Sequence, residues 1–528
     1  MKVLITDFLS EQGVEKLREE KGFEVKQALG LSEGELIKIV PEYEALIVRS
    51  GTKVTEKVIT VANKLKVIGR AGTGIDNIDI NAATKKGIIV MNTPEGNTIS
   101  AAEHTISLIL ALSRNIPQAN TSLKEGKWER KKFMGTEVYE KVLGIIGLGR
   151  IGSEVAKRAQ GLKMKVMAYD PFISREKAEK LGVTLMGLDE LLREVDYLSI
   201  HTPLTAKTKN IIGRREIFLM KKEARIINCA RGGIINEKAL YEALKEERIR
   251  GTALDVFEEG KPFDSPLLKL DSVILTPHLG ASTQEAQKRV ALNIASQVID
   301  FLKKGIVRYA VNVPLISPEA QKKLGDYLCL GEKIGELEAQ LIEGHPKELE
   351  ITYTGELIDL EIGFVTANII KGFLKSFLPE EIIINYVNAL LLAKERGIKV
   401  VEIKNPEAEG FNGLISLKLV TDIRERKIEG TIFGKGISRI VGIDGYSLDF
   451  VPRGNFLISS NVDKPGAVGK IGTILGRFGV NIAGLRMGRK TPGSKNVSVY
   501  ILDSFPPSEA IEELLKMEEI LDARLAHL

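Results

Sequence analysis

At 528 residues the chain is too long for one hydrophobic core and is expected to form three or four domains. Hydrophobic residues at 44% and charged residues at 27% belong to a globular protein, and a net charge of only +5, with Lys and Arg interleaved among Asp and Glu, leaves no basic stripe for nucleic acid. The only cysteines, Cys229 and Cys329, exclude a disulfide framework and a zinc site, and neither an apolar run of about eighteen residues nor a signal peptide is visible, so a cytoplasmic enzyme without a metal or a membrane span is expected.

In chain order, Lys2–Thr6, Ala45–Arg49, Val67–Arg70 and Ile88–Asn92 read as strands, and Glu11–Glu20 and Val54–Ala62 as helices. That alternation predicts a parallel sheet covered by helices. Ser100–Ser113 is apolar over most of its length and predicts a buried helix leading into the next domain. From Val142 a short apolar strand runs into Gly147-Leu148-Gly149-Arg150-Ile151-Gly152, then a helix, then a strand ending in Asp170. Gly147 permits the tight turn, Gly149 lets a pyrophosphate approach the backbone, and Gly152 lets the helix pack closely on the strand. The helix N-terminus adds free N–H groups and a positive dipole end. Asp170 lies 23 positions after Gly147, where a carboxylate accepts hydrogen bonds from a ribose and repels a 2′-phosphate. The unit is read as a dinucleotide site, for NAD in preference to NADP.

Further strands are expected at Tyr197–His201, Arg225–Cys229, Gly251–Asp255 and Val273–Thr276. The long amphipathic helix Glu285–Lys304 should return the chain to the first domain, with Ile306–Pro314 as a final extended segment. From about Ser317 to Val451 the glycine loops disappear, and a separate α+β domain is expected. It should hold helices at Lys323–Leu341 and Pro379–Glu395, strands at Glu348–Thr354 and Leu414–Leu419, and turns at Ile428-Glu429-Gly430 and Gly434-Lys435-Gly436. The last block, from about Asn455, reads strand, turn, helix, turn, strand, strand, helix, an order that suits a small ferredoxin-like module.

Chemistry in such nucleotide domains sits at the carboxyl ends of strands. Asn228-Cys229-Ala230-Arg231-Gly232-Gly233 follows one of them and offers a guanidinium that can hold a carboxylate bidentately, or serve a structural ion pair. Thr276-Pro277-His278-Leu279-Gly280 ends the last strand, and His278 is the natural acid–base for a hydroxyl that loses its proton as hydride leaves. Of the other histidines, His104 reads as a packed residue at a domain junction and His201 as a loop-positioning group, while His345 and His527 lie in the later domains.

The order GLGRIG, Asp170, HTPLT, NCARGG, ALDVFEE and TPHLGAST resembles the D-isomer-specific 2-hydroxyacid dehydrogenase family. Val48-Arg49-Ser50, Gly69–Asn77 and Trp128–Phe133 are similar to its long, phosphoglycerate-oxidising branch, and the likeness runs to the C-terminus. The resemblance implies a Rossmann-type NAD domain (99–284) inserted in a flavodoxin-like substrate domain (1–98 and 285–314). An α+β domain (315–452) and a ferredoxin-like ACT domain (453–528) follow. It implies that Arg49, Ser50, Arg70, Gly74 and Asn97 hold the substrate, and that Arg130 and Lys131 reach the phosphate site of a neighbouring subunit in a homodimer or homotetramer. Arg150 and Ile151 would lie at the pyrophosphate, Thr202 and Cys229 at the ribose region and Asp255 by the nicotinamide amide, with Thr73, Ala230 and Gly280 among the cofactor contacts. His278 would move the proton and Arg231 clamp the substrate.

The implied activity is NAD-dependent oxidation of 3-phospho-D-glycerate to 3-phosphohydroxypyruvate, the first step of L-serine biosynthesis. Rival readings are a glyoxylate or hydroxypyruvate reductase of the same fold, and a non-catalytic NAD-sensing protein. One position departs from the family: the Glu that pairs with the His is expected five residues after Asp255, where Gly260 stands, and Glu259 is the candidate replacement if the loop slips by one residue. In the ACT-like block, Asn461, Asp463 and Asn481 match positions that hold a serine effector; turn and capping chemistry accounts for them equally well.

Overall fold

The computed structural model describes residues 1–313, 318–379, 382–407, 410–434 and 436–528, and the side chains of 318–323 are left out of the description. The expected domain junction at 314–315, the start of the middle block at Ser317, Glu380 and Glu381 of an expected helix, and Lys435 of an expected turn lie outside the described residues.

Four sheets organise the described chain, and the first is wholly parallel. Its strands run in the order Glu24–Gln27, Lys2–Ile5, Ala45–Val48, Val67–Arg70, Ile89–Met91. Ala45–Val48 is buried on both faces, as a central parallel strand covered by helices must be. The helix Gln284–Lys304 returns to this sheet and supplies Val290, Ala291, Ile294 and Val298 to its core. The contact is close: a Cβ on Gly13 would lie 2.7 Å from that of Ala291. Beyond the helix, Ala310 bridges Met91 antiparallel and the Val311 N–H donates to Val90 O, so the expected extended segment runs along the sheet edge.

The second sheet has seven parallel strands, in the order Val273–Leu275, Gly251–Leu254, Arg225–Asn228, Tyr197–Ile200, Val142–Ile146, Lys165–Tyr169, Thr184–Leu185. The apolar helix Thr98–Arg114 leads into it and packs Leu108, Ile109 and Leu112 against its core.

The third sheet is mixed and six-stranded; the helices Pro318–Leu341 and Gly363–Lys375 pack on it and on each other. Two expectations fail here. Among the described residues of the helix expected over Pro379–Glu395, only Ala389–Glu395 are helical. Asn385 and Asn388 instead hold the preceding stretch in a turn: the Asn385 N–H donates to Asn388 Oδ1 at 2.8 Å, and Asn385 Nδ2 reaches Gly87 O at 2.8 Å on the first domain. The turn expected at Ile428-Glu429-Gly430 is the interior of the strand Glu425–Phe433. Gly430 is small there because a Cβ would press Ile334 and Leu330 of the covering helix at 2.9 and 3.0 Å.

The last sheet is antiparallel, with strands Ile482–Arg489, Lys495–Leu502, Asn455–Val462 and Ile520–His527 side by side. Helices Ala467–Arg477 and Ser508–Leu515 cover one face, and Phe456, Ile458, Val497 and Val499 on the other join the core of the preceding domain. Among the described residues, no helix is long and apolar enough to cross a membrane.

Candidate active site

The carboxyl ends of the first two sheets face each other across a cleft of about 1110 Å³. On the nucleotide side, the strand Val142–Ile146 ends at Gly147, whose φ of +91° belongs to glycine; a Cβ there would lie 2.8 Å from His201 O. Above Gly149 there is open space. The helix Arg150–Gly161 starts on Gly149 with no side chain capping its first N–H groups, which leaves them for an anion. Gly152 packs so tightly that a Cβ would lie 2.1 Å from Gly147 O. Gly152→Ala is therefore expected to cost about 1–3 kcal/mol of stability and to weaken NADH binding about tenfold or more through displacement of the loop; a thermal melt and a fluorescence titration measure both.

Asp170 ends the neighbouring strand with its carboxylate fixed: Oδ2 accepts the Leu148 N–H at 2.8 Å and Oδ1 the Phe172 N–H at 2.9 Å. Each oxygen keeps lone-pair capacity for a ribose hydroxyl. Thr202 Oγ1, on a residue lining the cleft, is buried without a partner. Open space over Gly149, uncapped helical N–H groups, a fixed carboxylate and an orphaned hydroxyl fit an NAD molecule, with Arg150, Ile151, Thr202, Cys229 and Ala230 among the lining residues. Burial pushes the Cys229 thiol up to about 12, so it stays a neutral wall. His201, 2.8 Å from Ser199 Oγ through Nε2, is pushed down to about 4 by burial and stays neutral.

On the facing side, Arg49, Ser50, Arg70, Thr73, Gly74 and Asn97 line the same cleft. The Arg49 N–H is tied to Asp7 Oδ2 at 2.5 Å, and the Thr73 hydroxyl donates to Asn97 Oδ1 at 2.7 Å. Burial lowers Arg70 to about 10, helped by the positive charges of Arg231 and Arg49 and opposed by Asp76 and Asp7, and its Nε is buried without a partner. Burial likewise lowers Arg49, against Asp7. Arg49 and Arg70 on this desolvated wall, with Arg231 facing them, form a site whose natural complement is an anion.

His278 stands at the mouth with a left-handed φ of +59°, on a loop that Asp255 holds. The fully buried Asp255 accepts the Thr276 hydroxyl at 2.6 Å and the N–H groups of Leu279 and Gly280 at 2.7 and 2.9 Å. His104 Nε2, the junction histidine, lies 3.2 Å from Asp255 Oδ1. Burial alone would raise the Asp255 carboxyl; those four hydrogen bonds outweigh it and hold it below the usual range. Burial lowers His278 below its ordinary value, Arg231 and Arg70 push it further down, and Asp255 and Asp76 oppose them.

Arg231 Nε donates to Asp76 Oδ2 at 2.9 Å across the cleft, and Nη1 to Ala230 O at 2.7 Å. Asp76 was not singled out from sequence: it is 155 residues from Arg231, and no local pattern ties the two together. Other expected residues are placed apart. Glu259 and Gly260 are exposed; burial raises the Glu237 carboxyl, the hydrogen bond from the Glu258 N–H opposes it, and the charges of Glu258 and Glu259 add to the rise. Glu259 is not among the residues that line the cleft with His278. Arg130 and Lys131 lie on an exposed segment away from their own chain's cleft. In the last domain Asn461 is buried beside Ser459 and Ser498, Asp463 pairs with Arg489 at 3.1 Å, and Asn481 donates to Asp503 at 2.7 Å.

Fold and cleft together define an NAD-dependent dehydrogenase of the D-isomer-specific 2-hydroxyacid class. A family model for the NAD binding domain of D-isomer specific 2-hydroxyacid dehydrogenases matches residues 106–280, one for the D-3-phosphoglycerate dehydrogenase intervening domain matches 323–444, and one for the ACT domain matches 456–519. Solved relatives include a D-lactate dehydrogenase from Aquifex aeolicus complexed with NAD and lactic acid (32% identity, TM-score 0.52, 57% of this chain and 95% of that one). A glyoxylate reductase from Paecilomyes thermophila is similar at 29% identity (TM-score 0.55, 59% of this chain and 98% of that one). Over the full length, the D-3-phosphoglycerate dehydrogenases of Archaeoglobus fulgidus and Methanocaldococcus jannaschii are each 46% identical, with 100% of this chain and 100% of each relative covered. The chain belongs to the D-3-phosphoglycerate dehydrogenase family, in the form that carries an intervening and an ACT domain.

Proposed function

We propose that the chain catalyses NAD-dependent oxidation of 3-phospho-D-glycerate to 3-phosphohydroxypyruvate, which opens L-serine biosynthesis. The observation that carries this reading is the juxtaposition of Arg49, Arg70 and Arg231 with His278 in a cleft whose other side fits NAD. Held at the Gly149–Ile151 turn and Asp170, NAD would supply the acceptor for the C2 hydride. Arg231 orients the substrate carboxylate and polarises the developing C2 carbonyl, while Arg49 and Arg70 supply charge for the phosphate. His278 takes the proton from the C2 hydroxyl oxygen, and Asp255 keeps its loop in place through the bonds to Thr276, Leu279 and Gly280. NADH formation with phosphoglycerate, beside reduction of glyoxylate, hydroxypyruvate and 2-oxoglutarate, tests the assignment; no preference for the phosphorylated acid defeats it.

Asp170 sets cofactor choice in this reading. Asp170→Asn is expected to raise kcat/KM with NADP relative to NAD by about tenfold, because the carboxylate no longer repels a 2′-phosphate; steady-state kinetics with both nucleotides measure the ratio.

The same reading divides the chain at 1–98 with 285–314, 99–284, 315–452 and 453–528. Exposed Trp128, Met134 and Tyr139 beside Arg130 and Lys131 support a homo-oligomer, dimer or tetramer, in which these cations reach a neighbouring cleft. The ACT match supports L-serine as effector near Asn461, Asp463 and Asn481, and the unpaired Cys229 and Cys329 support a reducing cytoplasm.

A further inference from the structure

Arg231 is held on two sides. Its Nε–H is given to Asp76 and one Nη1–H to Ala230 O. One Nη1–H and both Nη2–H groups remain, along the end of the guanidinium, where they form a fork matched to a carboxylate. The turn beneath is shaped for this pairing: a Cβ on Gly74 would lie 2.0 Å from Arg231 Nη2 and 3.0 Å from Asp76 Oδ2, so only glycine leaves room. The charge of Asp76 also acts on Arg70 and on His278. It is therefore the carboxylate shared by three cationic or ionisable groups of the cleft. The loop position from which a Glu would be expected to face the histidine is the exposed Gly260.

We propose that Asp76 is a positioning residue: from the opposite domain it holds the Nε edge of Arg231, 2.9 Å away, so that the other edge faces the substrate carboxylate. The inference rests on the oxidation of a 2-hydroxy acid proposed above. The charged groups acting on His278 are Asp255, Arg231, Arg70 and Asp76, and His104 lies 3.2 Å from Asp255 Oδ1. Asp255 is already committed to the backbone of the loop, so Asp76 is the carboxylate with capacity to respond to a ligand.

Asp76→Asn removes the charge at nearly constant volume, and Asp76→Glu keeps it. In the full-length enzyme the Asn variant is expected to raise KM for phosphoglycerate about fivefold, the scale of a partly exposed ion pair. It should also move the acidic limb of the kcat/KM profile down by about half a pH unit, because loss of a neighbouring anion disfavours the imidazolium. NADH affinity and the thermal midpoint should stay at wild-type values, and the Glu variant should return the limb toward wild type. If the Asn side chain lowers the thermal midpoint, Asp76→Ser carries the same expectation. A charge-removing variant with wild-type limb and KM, or a Glu variant indistinguishable from the Asn one, overturns the proposal. A wild-type enzyme inactive on phosphoglycerate defeats the assigned reaction; an active one indifferent to Asp76 defeats only this role.

Discussion

His278→Ala is expected to lower kcat for phosphoglycerate oxidation by about 10²–10⁴-fold, the range for loss of a positioned general base, with NADH affinity within about twofold of wild type. The left-handed backbone at His278 and the bonds from Asp255 to both flanks of the residue fix where the imidazole stands, and alanine keeps that loop while removing the base. The pH dependence has a definite sign. Burial and the Arg231 and Arg70 charges outweigh Asp255 and Asp76 and hold the imidazole below its ordinary value. Oxidation needs it neutral, so kcat/KM for phosphoglycerate should be flat through neutrality and fall only in acid. Reduction needs it protonated, so kcat/KM for phosphohydroxypyruvate should rise as pH falls. His278→Ala removes both limbs; stopped-flow and steady-state profiles in the two directions read this out.

The second large effect is at Arg231. Arg231→Ala removes the fork proposed for the carboxylate and the donor proposed for the developing carbonyl, and kcat/KM is expected to fall about 10²–10³-fold, the scale of losing one transition-state donor. Arg231→Lys recovers only a small part, since an ammonium cannot hold Asp76, Ala230 O and a carboxylate in one plane. Arg231→Ala also removes a cation that depresses His278, so its residual activity should show the acidic limb at higher pH. A shift downward instead would mean that Arg231 does not act on the imidazole.

The nucleotide half of the site was legible because its signals are local. Gly147, Gly149 and Gly152 each meet a backbone or phosphate constraint within a few residues, and apolar strands such as Ala45–Val48 are buried throughout. Elements without such a signature were missed. Glu24–Gln27 is a polar edge strand, and Gly363–Lys375 is buried on most sides and shows no polar stripe to mark it as a helix. Gly430 was misread as a turn because its smallness serves a helix crossing. The loss of the expected Glu at Gly260 could be read by counting from Asp255 once the family resemblance supplied the expectation. Its structural answer could not: Asp76 reaches Arg231 from another sheet, and only the folded cleft puts the two together.

In the proposed reaction, Arg49, Arg70 and Arg231 select a phosphorylated 2-hydroxy acid for oxidation by His278 and NAD. The most direct measurement is kcat/KM for 3-phospho-D-glycerate against D-glycerate, with NAD and under identical salt. A preference of about a hundredfold or more for the phosphorylated acid is expected, from charge-assisted contacts that D-glycerate cannot make. Equal or faster oxidation of D-glycerate would contradict it.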